Sequence, residues 1–348
     1  MMGGDVRFQG RSKISVWAPY RIDAGGTWDI KALALPFQSK GPVTLNMALD
    51  MGVIVEIIPH IPGIVQIQTP YYATLEGPLE SVSFSGPLGL FGICLAHLGV
   101  YGISIRIRPS LPPGSALGGS SSALVALLVG LRELVGLGMD DTSLVTLAYH
   151  IEDIHQLGGA GMQDHLAAMF GGVNLWKWNY SSFPFFERIT LKEGVLGELK
   201  DRVVVSHLGT SHFSPGLNRA FVSGFMEGSH RGLWIEANEI VKSLWQAINN
   251  RDWEGAAGLL SQETALRERT TKDAFKDPFI AAMIRAAEGV GCGARFTGAG
   301  GGGCLWAIGE KDRIAHLRTK WEDMASKREG ASLLKTRVTE KGAVVVRD

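Results

Sequence analysis

Along the first seventy residues apolar positions alternate or run β-branched, and helical spacing is absent. Strands are therefore expected over 13–17, 43–58 and 65–68. The apolar stretch 88–98 predicts a buried helix that runs into a strand over 102–108. The apolar run 123–135 predicts a helix entered from the loop PSLPPGSALGGSSS, with the serines as its N-terminal caps. Over 142–157, Leu144, Leu147, Ala148, Ile151 and Ile154 share one helical face. A break at Gly158, Gly159 and Gly161 separates that helix from a shorter one over 163–170, and Gly171-Gly172 leads into a strand over 173–178. The segment 179–199 is polar and contains proline, which marks it as the expected junction between two domains, 12–190 and 200–348. Beyond it the pattern predicts a strand at 203–206, mostly helical chain over 217–253, and helices at 253–268 and 278–289. Strands at 293–296 and 304–309, a charged helix at 311–327 and a closing strand at 343–347 complete the chain. The layout is α+β or mixed α/β in two lobes.

Composition narrows the function classes. At 348 residues and 45% hydrophobic, the chain exceeds what one compact core usually covers. Thirty-four basic residues balance thirty-four acidic ones, so the basic excess of a nucleic-acid binder is missing, and so is the high net charge of a disordered chain. The stretch 81–105 carries no Asp, Glu, Lys or Arg. Its five glycines, Pro87 and His97 dilute it well below the roughly 20 predominantly apolar residues of a membrane span. No secretory signal is visible at the N-terminus, and three scattered cysteines suit a reducing compartment, so a cytoplasmic location is expected. The outlier is glycine: 45 residues, nearly twice the usual share of about 7%.

The glycines cluster where chemistry is expected. Pro112 to Ser122 lies between a predicted strand and a predicted helix. Its backbone N–H groups and the helix N-terminus suit a phosphate, and its serine hydroxyls can reach a phosphate oxygen or a bound Mg²⁺. There is no G-x-x-x-x-G-K-[ST], so this is not a Walker loop. A second cluster, Phe296 to Cys304, formally contains G-x-G-x-x-G at Gly298, Gly300 and Gly303. It leads into a strand and not a helix, which rejects the dinucleotide reading. Four consecutive glycines are better explained by backbone pressed against a ligand or against the first loop. Near the N-terminus, Arg21, Asp23 and Asp29 bracket a Gly25-Gly26 turn. Glu152 and Asp164 flank the later glycine break; they are either ordinary solvated carboxylates or, if a tight loop brings them to one cleft, a pair of which one holds a metal and one acts as a base.

Taken in order, these elements resemble the GHMP kinases. Pro113 to Ser122 resembles the family's P-P-x-S-G-L-G-S-S motif, Arg295 to Cys304 its K-x-T-G-A-G-G-G-G-C motif, and Ala18 to Asp29 its first motif. Gly161-Met162-Gln163-Asp164-His165 followed by Gly171-Gly172 is similar to the sugar branch, that of heptose-phosphate kinases and fucokinases. The resemblance implies a two-domain α+β fold: an N-terminal domain with a left-handed β-α-β crossover and a ferredoxin-like C-terminal domain. It implies ATP and Mg²⁺ as cofactors and a sugar or sugar phosphate as acceptor, phosphorylated at an anomeric hydroxyl. Nucleic acid and membrane are not expected partners, and the chain is expected to be a monomer or homodimer.

Residue by residue, Asp164 would take or orient the proton of the attacking hydroxyl and Arg21 would stabilise the transferring phosphoryl group. Pro113, Gly114, Ser115, Ala116, Leu117, Gly118, Gly119, Ser120 and Ser121 would cradle the ATP phosphates. Ser120 and Glu152 would hold Mg²⁺, while Asp29, Gly25, Gly26, Asp164, Gly300 and Gly301 would line the acceptor side. The chain departs from the family pattern at Ala116, Gly119, His165 and Arg295, and its first motif is one residue short. Free-sugar kinases of the fucokinase or galactokinase type, and a sugar sensor without catalysis, are the rival readings.

Overall fold

The strand Ile14–Ala24 is buried at every position but Trp17, because both of its faces are covered, and it forms the spine of the first sheet. These observations come from a computed structural model that describes residues 4–5, 13–25, 28–210, 214–270, 275 and 277–346. Gly26, expected on the acceptor side, lies outside the described residues, as does the expected strand residue Arg347.

Antiparallel to the spine runs Val43–Pro59, seventeen residues long. That length lets its other edge serve two partners. Val173–Trp178 pairs with residues 43–47, and Ile103–Pro109 pairs with residues 53–59. Ile64–Thr69 then adds to Ile103–Pro109 in parallel, so the connection between them must cross over, and the helix Gly89–Leu98 lies within it. Tyr72–Pro78 and Phe186–Thr190 close two edges of this sheet. Both escaped the sequence pattern for one reason: edge strands keep most side chains in water, so neither carries apolar alternation. The polar segment expected to be a plain junction thus continues the first sheet.

A second sheet has four antiparallel strands in the order Gly293–Phe296, Cys304–Ile308, Val203–Leu208, Ala331–Leu333. Its two faces bury different cores, as the two-residue period of a strand requires. Leu305 and Ala307 join Phe296, Ile284 and Trp321 beneath the helices Pro278–Glu288 and Lys311–Ser326. Cys304, Trp306 and Ile308 point into the large core shared with the first sheet. Double-sided burial explains why 304–308 reads as an unbroken apolar run. After the second sheet the chain returns, and Val344–Val346 pairs with Ser15, Val16 and Trp17. Among the described residues no helix is long and apolar enough to cross a membrane.

Candidate active site

Arg21 sits just past a register slip in the spine strand, between Pro19 and Arg21. Such irregularities re-aim side chains, and here a buried guanidinium is turned toward the glycine loop. Its Nε and Nη2 donate to both carboxylate oxygens of Asp164, at 2.6 and 2.8 Å, and its Nη1 donates to the Ala116 carbonyl at 2.6 Å. Burial pushes the Asp164 carboxyl above its usual range, against the pull of Arg21. A planar fork on a carboxylate fixes both distance and angle, so Arg21 sets where Asp164 can be.

The loop itself is strained into shape. Ala116 adopts φ +59°, a conformation that favours glycine, and Gly118 lies at φ +75°. A Cβ on Gly118 would stand 3.1 Å from the Asp164 carboxyl carbon, so the loop and the carboxylate pack without space for a side chain. The helix then begins at Gly119, four residues earlier than expected, and no side chain caps it. The serines are therefore inside the first turn and not caps. Ser121 donates to Glu152 Oε2 at 2.6 Å and Ser122 to the Pro19 carbonyl at 2.7 Å. The uncapped first-turn N–H groups stay open toward the cleft, as an anion site requires.

Glu152, near the end of Asp141–His155, faces the same loop. Its Oε1 accepts from Gln156 at 2.8 Å. His165 Nε2 lies 2.7 Å from Oε2, though neither ring nitrogen is aligned for a hydrogen bond. Burial raises the Glu152 carboxyl, but His165, Ser121 and Gln156 outweigh it and leave the group below its usual range. Asp29 stands across the cleft, 3% exposed, accepting from the Gln163 N–H at 3.3 Å. Burial and the nearby Asp164 push its pKa up to about 6.

The second glycine cluster supports the first. Gly303 abuts the phosphate loop so closely that a Cβ there would meet Ser115 and Ala116 at 2.7 Å. The Gly298 N–H donates to Asp23 Oδ1 at 2.6 Å, which holds the start of the run. Arg21, Asp29, Glu152, Asp164 and the whole loop from Pro113 to Ser121 line one cleft of about 1050 Å³.

Two family profiles match the chain in order: residues 89–172 fit the GHMP kinases N terminal domain, and residues 244–327 fit the GHMP kinases C terminal domain. The chain belongs to the GHMP kinase family. It is 26% identical over 214 residues to the mevalonate kinase of Thermococcus onnurineus, covering 60% of each chain. It is 33% identical over 104 residues to the D-glycero-alpha-D-manno-heptose 7-phosphate kinase of Campylobacter jejuni, covering 29% of this chain and 30% of that one. Both matches therefore span less than two thirds of the curated relative. The fold is similar to that of Lactococcus lactis galactokinase in complex with galactose, with a TM-score of 0.77 at 16% identity over 97% of this chain and 96% of that one.

Within this GHMP kinase cleft not every expected residue takes the expected place. Gly25 packs against Val241 and does not line the cleft. Gly300 and Gly301 do not line it either; Gly298 and Ala299 do. Ser120 is exposed in the cleft, while its neighbour Ser121 is the one bonded to Glu152. Two groups of lining residues escape the sequence reading. Val53, Tyr71, Tyr72, Phe84, Leu88 and Phe91 form an apolar, aromatic end beyond the phosphate loop. Phe84 and Leu88 belong to the uncharged stretch 81–105, and Phe84, at 48% exposure, is as open to solvent as Tyr71 and Tyr72 beside it in the lining. Asn218 and Arg219, on the helix Ser214–Met226, also line the cleft.

The residues present suit Mg²⁺. Ser120, Ser121 and an ionised Glu152 are all oxygen donors, the set a hard cation prefers. Among the described residues no group of three His, Cys, Asp or Glu could hold a metal by itself, so phosphate oxygens of a nucleotide would have to complete the shell.

Proposed function

We propose that this GHMP kinase is an ATP- and Mg²⁺-dependent phosphotransferase that phosphorylates a hydroxyl, the anomeric one, of a sugar or sugar phosphate. The reading rests above all on the Arg21–Asp164 fork placed against an uncapped glycine loop in one large cleft. Phosphoryl transfer asks for positioning and charge neutralisation more than covalent chemistry, and this set can supply both. The loop N–H groups would hold the phosphates, and Ser120 with Glu152 would hold Mg²⁺, which when bound neutralises phosphate charge. Arg21 would face the transferring group. Asp164, more basic than a free aspartate, would accept the hydroxyl proton. The apolar end around Phe84 and Tyr72 offers a wall for a nucleobase.

Charge bears on the acceptor class. Asp29 and Asp164 present two carboxylates against one arginine that is already paired. A neutral polyol can hydrogen-bond to such a pocket, whereas an acceptor with its own carboxylate would be repelled unless met by another cation. Arg219 could meet a carboxylate as well as a phosphate, so it is the segment Gly161 to Ala168, similar to the sugar branch, that favours a sugar over mevalonate. Arg219 at the cleft's rim supports an acceptor that already bears a phosphate, such as heptose 7-phosphate, over a free sugar.

The test is Mg²⁺-dependent ADP release against heptose 7-phosphate, mannose 6-phosphate, L-fucose, galactose and mevalonate, with Asp164→Asn in parallel. Turnover of a sugar phosphate that disappears in the variant is expected. Turnover of mevalonate alone would overturn the acceptor class. ATP binding without turnover of any of the five, unchanged in the variant, would favour a sensor.

A further inference from the structure

A second hollow, of about 760 Å³, lies where the two halves of the chain meet, and it shares no lining residue with the catalytic cleft. Four separate segments build it. The helix Lys311–Ser326 contributes Lys311, Ala315 and Arg318, which recur at one-turn spacing and so share a face. The stretch after Ala331–Leu333 contributes Lys335, Thr336 and Arg337, and Asp50 and Asp201 complete the lining.

The chain as a whole has zero net charge, yet this hollow gathers four cations against two carboxylates. The carboxylates are largely engaged. Asp50 Oδ1 accepts from the Thr336 hydroxyl and the Arg337 N–H, both at 2.8 Å. Asp201 accepts from Lys311 Nζ at 2.9 Å. Arg318 donates Nη2 to the Val203 carbonyl at 2.7 Å, which anchors a half-buried guanidinium facing the hollow. Burial and the neighbouring Arg337 both push the Arg318 pKa down, against the pull of Asp201 and Glu322. Four cations and two engaged carboxylates on one concave surface leave it net positive, the field an anion would meet. The backbone is fixed too: the Asp50 N–H donates to the Arg337 carbonyl at 2.9 Å, so the stretch bearing Lys335 and Arg337 is pinned to the first sheet.

We propose that this hollow is a binding site for a phosphate-bearing small anion, separate from the catalytic cleft. Arg318 and Arg337 would supply the forked contacts to phosphate oxygens, and Lys335 and Lys311 would add charge at the rim. The site joins the two sheets, so its occupant would stabilise their packing by mass action.

Calorimetric titration of the full chain with pyrophosphate, in metal-free buffer, tests this. Two classes of binding are expected in the unmodified protein, one at the glycine loop and one here. Lys335→Ala/Arg337→Ala should weaken one class about tenfold or more and leave the other unchanged. Asp201→Asn, which removes a competing carboxylate without removing a donor, should tighten the same class about threefold. An isotherm identical in the unmodified protein and the double variant would overturn the proposal, as would Asp201→Asn that binds no tighter.

Discussion

Two arginine–carboxylate centres sit two residues apart on the same face of one strand, and they behave oppositely. Arg21 pairs with Asp164 at the cleft, where the Asp164 side chain is 20% exposed. Asp23 pairs with Arg295, whose Nε also donates to Glu263 at 2.7 Å, and all three side chains are fully buried. Arg267 completes the sealed centre, donating to Glu263 at 3.0 Å and lying over the Trp234 ring. The sealed centre meets no solvent, yet Asp23 takes the Gly298 N–H and so anchors the run that braces the phosphate loop. Identical chemistry therefore divides by burial: the open pair faces the cleft, and the closed one holds the glycine run packed against the loop beside it.

Opening the closed centre should cost the protein most. Arg295→Met leaves the buried Asp23 carboxylate without its cation and Glu263 with one cation of two, and removing one partner of a buried pair costs about 3–5 kcal/mol. Urea unfolding should show that loss. In the open pair, Asp164→Asn should lower turnover by about 10²- to 10⁴-fold, the usual share of a general base, with a smaller loss of stability than Arg295→Met, since Arg21 keeps the Ala116 carbonyl and an amide oxygen as acceptors. If Asp164→Asn unfolds the protein and Arg295→Met leaves it intact, the division by burial is wrong.

Asp29 sharpens the contrast, because burial and the neighbouring Asp164 outweigh the hydrogen bonds that would keep it ionised. Its folded pKa of about 6 lies above the unfolded value of 3.8, so the fold favours the protonated form. Stability from this group is therefore present below about pH 4 and lost as pH rises through about 6. The gap between the two values is worth about 3 kcal/mol. Asp29→Asn should be more stable than the unmodified protein by up to that amount at pH 7.5, with the difference gone near pH 4, while acceptor affinity falls. A pH-independent difference in unfolding free energy would remove the electrostatic account.

How much of this could be read from residues alone follows the same line between local and tertiary causes. Arg21, Glu152, Asp164 and the loop 113–121 announce themselves, because phosphate chemistry needs those types near glycine, and the structure brings them to one cleft. Tyr72–Pro78 and Phe186–Thr190 do not, because exposed edge strands lack apolar alternation. Arg219 and Tyr72 become cleft residues by packing between distant segments, which spacing cannot disclose. Ser121 is hidden by a smaller effect: starting the helix at Gly119 and not at 123 decides which hydroxyl turns to Glu152. The acceptor-side places of Gly300 and Gly301 rest on the resemblance alone, and the run's contact with the first loop is instead made by Gly303.

That contact is the most local link between the two glycine clusters. Gly303 has φ +79°, and its absent Cβ would stand 2.7 Å from the Ser115 carbonyl group and the Ala116 Cβ. Gly303→Ala therefore meets both a backbone conformation that L side chains rarely adopt and a collision with a loop that has no slack. The conformational part costs about 1–3 kcal/mol of stability. The collision acts elsewhere, since relief requires the phosphate loop to move away from the second sheet. ATP affinity should then fall by about tenfold while the Arg295 network, just upstream of Thr297, stays closed. Titration with ATP decides this: an unchanged affinity in a destabilised protein would make Gly303 a folding residue alone, and the brace between the two glycine clusters would have no part in nucleotide binding.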